Sequence, residues 1–163
     1  SPTGREVQPQ PTPPASLQDL GALAQQVVGE LAPRAIAQGQ TLGLDAQPGC
    51  QLQGNASLLA VLLRNLIDNA LRYSPGAAEV RVRVAKADGR VQLQVHDSGP
   101  GLAEADLARL GERFFRVLGS ARDGSGLGWS IVRRIAAAQG ATVVVARSAA
   151  LGGLAVTLHW PAA

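Results

Sequence analysis

The sequence predicts an α+β fold, a two-layer sandwich in which about three helices cover one face of a mixed, mostly antiparallel sheet. Three observations carry this reading. The stretch between Asn55 and Ser74 places apolar side chains at helical spacing. Residues 79–87 and 90–96 both alternate apolar and polar, with only Asp88-Gly89 between them. Residues 129–160 then read as helix, strand, strand. The chain has 163 residues, enough for one domain with a real core. Hydrophobic residues make up 46% but aromatics only 3%, so that core must be aliphatic.

In chain order, residues 1–15 are rich in Pro, Gln and Thr (Pro2, Pro9, Pro11, Pro13, Pro14) and read as a linker. The domain proper is expected over residues 16–163. Ser16 reads as an N-cap with Asp19 in the first turn, opening a helix to about Gln38 that Gly39 stops. Residues 41–46 and 50–53 flank a Pro48-Gly49 turn and suggest a strand pair. Asn55 is the expected N-cap of the next helix, and Ser74-Pro75-Gly76 its end. After the two alternating strands, residues 98–127 are rich in Gly, Arg and Asp with little periodicity, a long loop with room for one short helix. A helix over residues 129–139 closes at Gly140, and strands over 142–147 and 154–160 meet around Gly152-Gly153.

Charge and cysteine content exclude several classes. The formal net charge is +3, and every cation except Lys86 is Arg. These charges are scattered, with no run of five, so a nucleic-acid surface is not indicated. Cys50 is alone, which rules out an internal disulfide or a cysteine zinc site and fits a reducing compartment. No apolar run is long enough to span a bilayer, and the N-terminus is no signal peptide. The chain contains no Met, even at position 1, so a fragment with a membrane segment upstream is expected.

Four pieces bear chemistry. In the helix between Asn55 and Ser74, Asn65, Asn69 and Arg72 fall within about 60° of one another at roughly 100° per residue. Leu59, Leu63, Leu66, Ile67 and Ala70 form the opposite, buried flank. Carboxamide oxygens and a guanidinium suit a Mg²⁺–polyphosphate ligand, because Mg²⁺ prefers hard oxygen donors and takes few from protein. Tyr73, at the end of this polar stripe, suits stacking beside a base. Asp68 is compatible with capping, with an Arg72 pair or with the metal's surroundings. The second piece is Asp97-Ser98-Gly99-Pro100-Gly101, directly after a strand. A carboxylate only accepts hydrogen bonds, so it would select an amino group such as that of adenine; a plain Asx-turn is the alternative. The third piece, Gly124-Ser125-Gly126-Leu127-Gly128, leads into a helix and offers backbone N–H groups to an anion, without Walker or dinucleotide spacing. A flexible hinge is its alternative. The fourth is Arg113-Phe114-Phe115-Arg116 with Arg122 nearby: two rings to anchor a loop and cations to reach phosphates, or a satellite core with solvated arginines. The solvated reading suits Arg109, Arg113, Arg133 and Arg134, on helical or exposed faces. His96 and His159 lack companions at metal-ligand spacing and read as strand-face residues, and Trp129 reads as packing.

Taken in this order, the four pieces resemble the catalytic, ATP-binding domain of bacterial sensor histidine kinases, grouped with gyrase, heat-shock Hsp90 and MutL ATPases. The stretch Asn65 to Tyr73 is similar to the N box, Asp97 to Gly101 to the G1 box, Arg113 to Arg116 to the F box and Gly124 to Gly128 to the G2 box. The resemblance covers about residues 17–160 and implies the Bergerat fold with a mobile ATP lid over about 98–127. It implies ATP and Mg²⁺ as ligands. Asn69 would coordinate Mg²⁺, Asn65 and Arg72 would line the phosphates, and Tyr73 would pack by adenine. Asp97 would bind the adenine amine beside Gly99 and Gly101. Gly124, Gly126, Leu127 and Gly128 would form the lid's phosphate edge, and Arg116 and Arg122 would neutralise the γ-phosphate.

ATP-hydrolysing relatives such as gyrase carry Glu where Asn65 stands, and an amide cannot take a proton from water. The resemblance therefore implies slow hydrolysis and transfer of the γ-phosphoryl to a histidine on a dimerisation and phosphoacceptor domain absent from this chain, then to a response regulator. The fragment is expected to be monomeric, its parent a homodimer, and its place the cytoplasmic side of a bacterial inner-membrane protein. Trp129 departs from the family's usual Leu. A nucleotide-binding regulatory module without transfer activity, and an anti-sigma-type serine kinase on the same fold, are the competing readings.

Overall fold

A computed structural model describes residues 15–101 and 127–163. A five-stranded sheet in the order β2-β4-β5-β7-β6 forms one layer, built from β2 (Thr41–Ala46), β4 (Glu79–Ala87), β5 (Arg90–Asp97), β6 (Thr142–Arg147) and β7 (Leu154–Pro161). Helices α1 (Leu20–Ala37), α2 (Ala56–Arg72) and α3 (Leu127–Ala138) form the other. Short strands β1 (Ser16–Asp19) and β3 (Gln51–Gly54) pair separately.

The alternation legible in the sequence decides which sheet face is dry. Val80, Val82 and Val84 stand opposite Asp97, Val95 and Leu93, and the last two in turn oppose Val156 and Leu158. All of these are buried. The helices close over them with Leu20, Ala24 and Val27 from α1, the expected flank of α2, and Val132, Ile135 and Ala136 from α3. Trp160 is 1% exposed and Trp129 packs at the edge of the same core. Arg81, Arg83, His96 and His159 alternate with the core residues on these strands and lie on the other face. The Asp88-Gly89 connection has positive φ at both residues, 54° and 72°, as a two-residue hairpin requires.

Two expectations are corrected. Ser16 is not a helix cap. It starts β1, paired with Gly54, and Asp19 is the N-cap, its Oδ1 accepting the Ala22 N–H at 3.1 Å. The segments either side of Pro48-Gly49 do not pair with each other. The first runs parallel to β4 with α2 as part of the crossover, while the second pairs with β1. Gly39 follows the last turn of α1 with φ 73°, as expected. Asn55 caps α2 through its Oδ1 and the Leu58 N–H at 3.0 Å.

No helix among the described residues is long and apolar enough to cross a membrane. Cys50 is buried and free.

Candidate functional site

Helix α2 brings Asn65, Asn69 and Arg72 to one stripe, as their spacing predicts. The Asn65 amide donates to the Val61 carbonyl one turn back, at 2.8 Å. The Asn69 Nδ2 is different: it is buried and has no hydrogen-bond partner among the described residues. A Cβ on Gly128 would come within 2.9 Å of the Asn69 Oδ1, so glycine lets the first turn of α3 close onto this carboxamide. Leu127 and Gly128 are thus the opening residues of α3, two positions earlier than the sequence suggested. Gly124, Gly126, Arg113, Arg116 and Arg122 lie outside the described residues, as does any short helix in that stretch.

Asp68 is settled by its partners. Its Oδ2 accepts from Arg72 Nε at 2.9 Å, and its Oδ1 meets Arg34 of α1. It pairs with cations on two helices. Tyr73 ends α2, its N–H donating to the Asn69 carbonyl at 3.0 Å. Gln40, buried behind this end, donates through Nε2 to the Leu71 and Ser74 carbonyls, both at 2.8 Å. That clamp fixes where the polar helix stops.

Asp97, at the end of β5, is 7% exposed. Its Oδ1 accepts two backbone N–H groups, from Gly99 at 2.9 Å and Leu154 at 3.1 Å. Among the described residues none donates to Oδ2. Burial pushes the carboxyl above its ordinary range, and the two N–H donors pull the other way without cancelling it. The β6–β7 turn presses on this group from one side. The Gly153 N–H donates to the Asp97 carbonyl at 3.0 Å, and a Cβ on Gly153 would overlap the Asp97 carboxylate and backbone. The other side is the end of α2: a Cβ on Gly99 would meet the Tyr73 carbonyl at 3.0 Å and the Ser74 Oγ at 3.2 Å. Asp97 and the polar end of α2 therefore share one neighbourhood. Gly101 has φ 71°, and the same turn's backbone lies 3.7 Å from where its Cβ would be.

His96 bonds through Nδ1 to the buried Ser148 Oγ at 2.8 Å, which also accepts the Leu151 N–H. Burial, then Arg81, push its pKa down, with Arg83 adding to them and Asp97 opposing. It braces the β6–β7 turn and has no metal-ligand companions. Arg133 and Arg134 are exposed as expected. Gly153, Gln40, Ser74 and Arg34 were not singled out by sequence reasoning. Two left a partial signal: Ser74 as part of the helix stop, and Gly153 in the Gly152-Gly153 turn, read without its contact to Asp97.

Among the described residues no group of three or more His, Cys, Asp or Glu could hold a metal. What the site offers a cation is a carboxamide oxygen, and what it offers a nucleotide is a buried acceptor beside a polar helix end.

Comparison with known proteins agrees with this fold. The family model described as histidine kinase-, DNA gyrase B- and HSP90-like ATPase matches residues 54–163. The sensor protein QseC of Salmonella typhi is 46% identical over 107 residues, 66% of this chain and 23% of QseC. The chain thus spans about a quarter of the curated relatives it matches. The structure of the mycobacterial sensor histidine kinase MprB superposes with a TM-score of 0.78 at 27% identity, over 91% of this chain and 97% of that one. Full-length ShkA in complex with AMPPNP gives a TM-score of 0.76 at 31% identity, over 91% of this chain and 31% of ShkA. The fold is the α+β fold of histidine kinase ATPase domains, and the family implies ATP binding. On the match from residue 54 to 163, the chain belongs to the histidine kinase-, gyrase B- and HSP90-like ATPase family.

Proposed function

We propose that this chain binds ATP with Mg²⁺ and presents the γ-phosphoryl group to a histidine on another segment of a sensor kinase. The observation that carries this reading is the pairing of two unlike groups at one end of the helical layer. Among the described residues, one is a buried carboxylate with an oxygen left for an amine, and the other is a carboxamide whose buried N–H₂ has no partner. A purine amine satisfies the first, and a Mg²⁺-bridged polyphosphate suits the second.

Asp97 reads the adenine amine and Tyr73 lies beside the ring. Asn65, Asn69 and Arg72 line the phosphates, with the backbone of Leu127 and Gly128 at the start of α3 and of Gly124 and Gly126 shortly before it in the sequence. Positive charge at a helix N-terminus favours phosphate there. Asn69 would hold Mg²⁺, which when bound neutralises phosphate charge. Its carboxamide fits a cation that keeps most of its ligands as water and phosphate oxygen. Arg116 and Arg122 supply further positive charge toward the γ-phosphate. Asn65 is neutral and donates to Val61, so it cannot deprotonate water. The γ-phosphoryl is thereby spared for an incoming imidazole, and the chain's contribution is positioning and charge neutralisation. ShkA, 31% identical, was crystallised with AMPPNP, an ATP analogue, which supports the nucleotide assignment.

The partners follow from this reading: the parent's own phosphoacceptor hairpin, through which it dimerises, then a response regulator. The parent is an inner-membrane sensor with this domain on the cytoplasmic side.

The test combines this chain, its parent's separately produced hairpin and ATP labelled at the γ position. Label should move to a histidine of the hairpin. A hairpin that stays unlabelled while calorimetry shows ATP bound would refute transfer and leave a nucleotide-sensing module. Label on a serine of a separate protein would indicate the serine-kinase alternative.

A further inference from the structure

Helices α1 and α2 are tied by two ion pairs. Glu30 Oε2 accepts from Arg64 Nη2 at 2.9 Å, and Arg34 meets Asp68. Both partners advance by four residues from one pair to the next, so the helices run the same way and meet one turn apart. The polarity reverses between the pairs. Sliding α1 one turn in either direction would set Glu30 against Asp68 or Arg34 against Arg64, like against like. The ladder therefore fixes the axial register of α1 on α2.

Asp68 also faces the site. Its two oxygens are divided: Oδ1 to Arg34, Oδ2 to the Nε of Arg72. Side-chain exposure is 22% for Asp68, against 40% for Arg34 and 49% for Arg72, so the shared carboxylate is the most shielded member. Without Arg34, both carboxylate oxygens could close on Arg72 in the side-by-side geometry that guanidinium and carboxylate favour. Arg72 would then turn away from its present plane.

We propose that Arg34 is a positioning residue for the phosphate end of the site: by holding one oxygen of Asp68, it keeps the Arg72 guanidinium in its present orientation on the other. This rests on the reading of Arg72 as a phosphate-side residue. No group of Arg34 needs to touch nucleotide.

The experiment is a double-mutant cycle on this chain, with Mg·ATP affinity read by calorimetry and adenosine affinity by NMR titration. Arg34→Ala should weaken Mg·ATP about three- to tenfold and leave adenosine unchanged. Arg34→Lys should restore most of the loss. In an Arg72→Ala background, Arg34→Ala should have little further effect. Equal weakening of ATP and adenosine, or a full additional loss in that background, would overturn the proposal in favour of a merely structural pair. If Arg72→Ala weakens Mg·ATP and Arg34→Ala does not, only the positioning role falls. If Arg72→Ala itself changes nothing, the phosphate-side reading of Arg72 falls and takes this proposal with it.

Discussion

Asp97 and Asn69 mark the two ends of the candidate site, and the fold finishes them in opposite ways. Around Asp97 the backbone has already done the work. Two N–H groups hold one oxygen, a third holds its carbonyl, and Gly99 and Gly153 let two chain segments close to contact distance. Around Asn69, among the described residues, the side-chain N–H₂ is buried without a partner, and the ion pairs nearby join side chains of α1 and α2. The end proposed for the base is preorganised at the cost of burying a carboxylate. The end proposed for the phosphates keeps an unmet hydrogen-bond donor among the described residues. Substitutions at the first should disturb fold and binding together; those at the second should disturb binding alone.

The largest effect is expected from Gly153→Ala. The new methyl would overlap Asp97 side-chain and backbone atoms, and backbone cannot swing aside. Overpacking of this kind costs about 2–3 kcal/mol, a Tm fall on the order of 5–10 °C for a domain of this size. Adenine-dependent binding should be lost with it. Thermal melting and adenosine titration check both. An unchanged Tm with intact binding would show that the turn is loose and that the base end is not preorganised.

Asn69→Ala is the counterpart at the other end. Mg²⁺-dependent ATP affinity should fall by at least about tenfold, since even groups behind a metal ligand cost that much. The Tm should hold or rise, because the substitution removes a buried amide with an unmet donor. Calorimetry with and without Mg²⁺, beside a melt, reads both. Unchanged affinity would remove Asn69 from the metal role, and a Tm fall would make the two ends alike.

How much of this contrast was legible in the chain depends on range. Helix α2 declares itself locally, through its apolar period, the Asn55 cap and the Ser-Pro-Gly stop, so Asn65, Asn69 and Arg72 could be placed on one stripe. The Asp88-Gly89 hairpin is equally local, and it fixed the position of Asp97 at a strand end. Ser16 misled because Ser and Asp are both good caps; what decides is pairing with residues 51–54, far along the chain. The parallel pairing of β2 with β4 was hidden for the same reason. Gly153 reads as a turn residue until the β5–β7 register brings it to Asp97, and Arg34 is one arginine among many until α1 lies on α2.

Asp97→Asn separates the base end's two roles. Asn can still accept the Gly99 and Leu154 N–H groups through Oδ1, but it offers the adenine amine a donor where an acceptor is needed. Preference for ATP over GTP should fall by about 10- to 100-fold. The raised carboxyl pKa also sets a sign. A carboxyl whose folded pKa exceeds its unfolded value favours the folded state while protonated, and that contribution is lost as pH rises through the folded value. At pH 7 the ionised Asp97 therefore counts against the unliganded fold, and Asp97→Asn should raise the Tm there. Adenosine affinity, which avoids phosphate titration, should decline on acidification with a midpoint above the ordinary carboxylate value of 3.8, and Asp97→Asn should abolish that step. A pH-independent adenosine affinity in the native chain would mean that another group reads the base.

The smallest effect sharpens the comparison most. Arg64 and Arg34 both pair across the α1–α2 seam, and both are about two-fifths exposed. Their partners differ. Glu30 is 44% exposed and has no further cation among the described residues, whereas Asp68 passes its second oxygen to Arg72. Exposed pairs of the Glu30–Arg64 kind contribute about 0–1 kcal/mol. Arg64→Ala should therefore move the Tm by no more than about 3 °C and leave both Mg·ATP and adenosine affinity unchanged. Salt should mimic it, since screening weakens such a pair. If Arg64→Ala instead lowers Mg·ATP affinity as strongly as Arg34→Ala, then the axial register of α1, which both pairs hold, is what tunes the phosphate end, and the division of the Asp68 carboxylate is not.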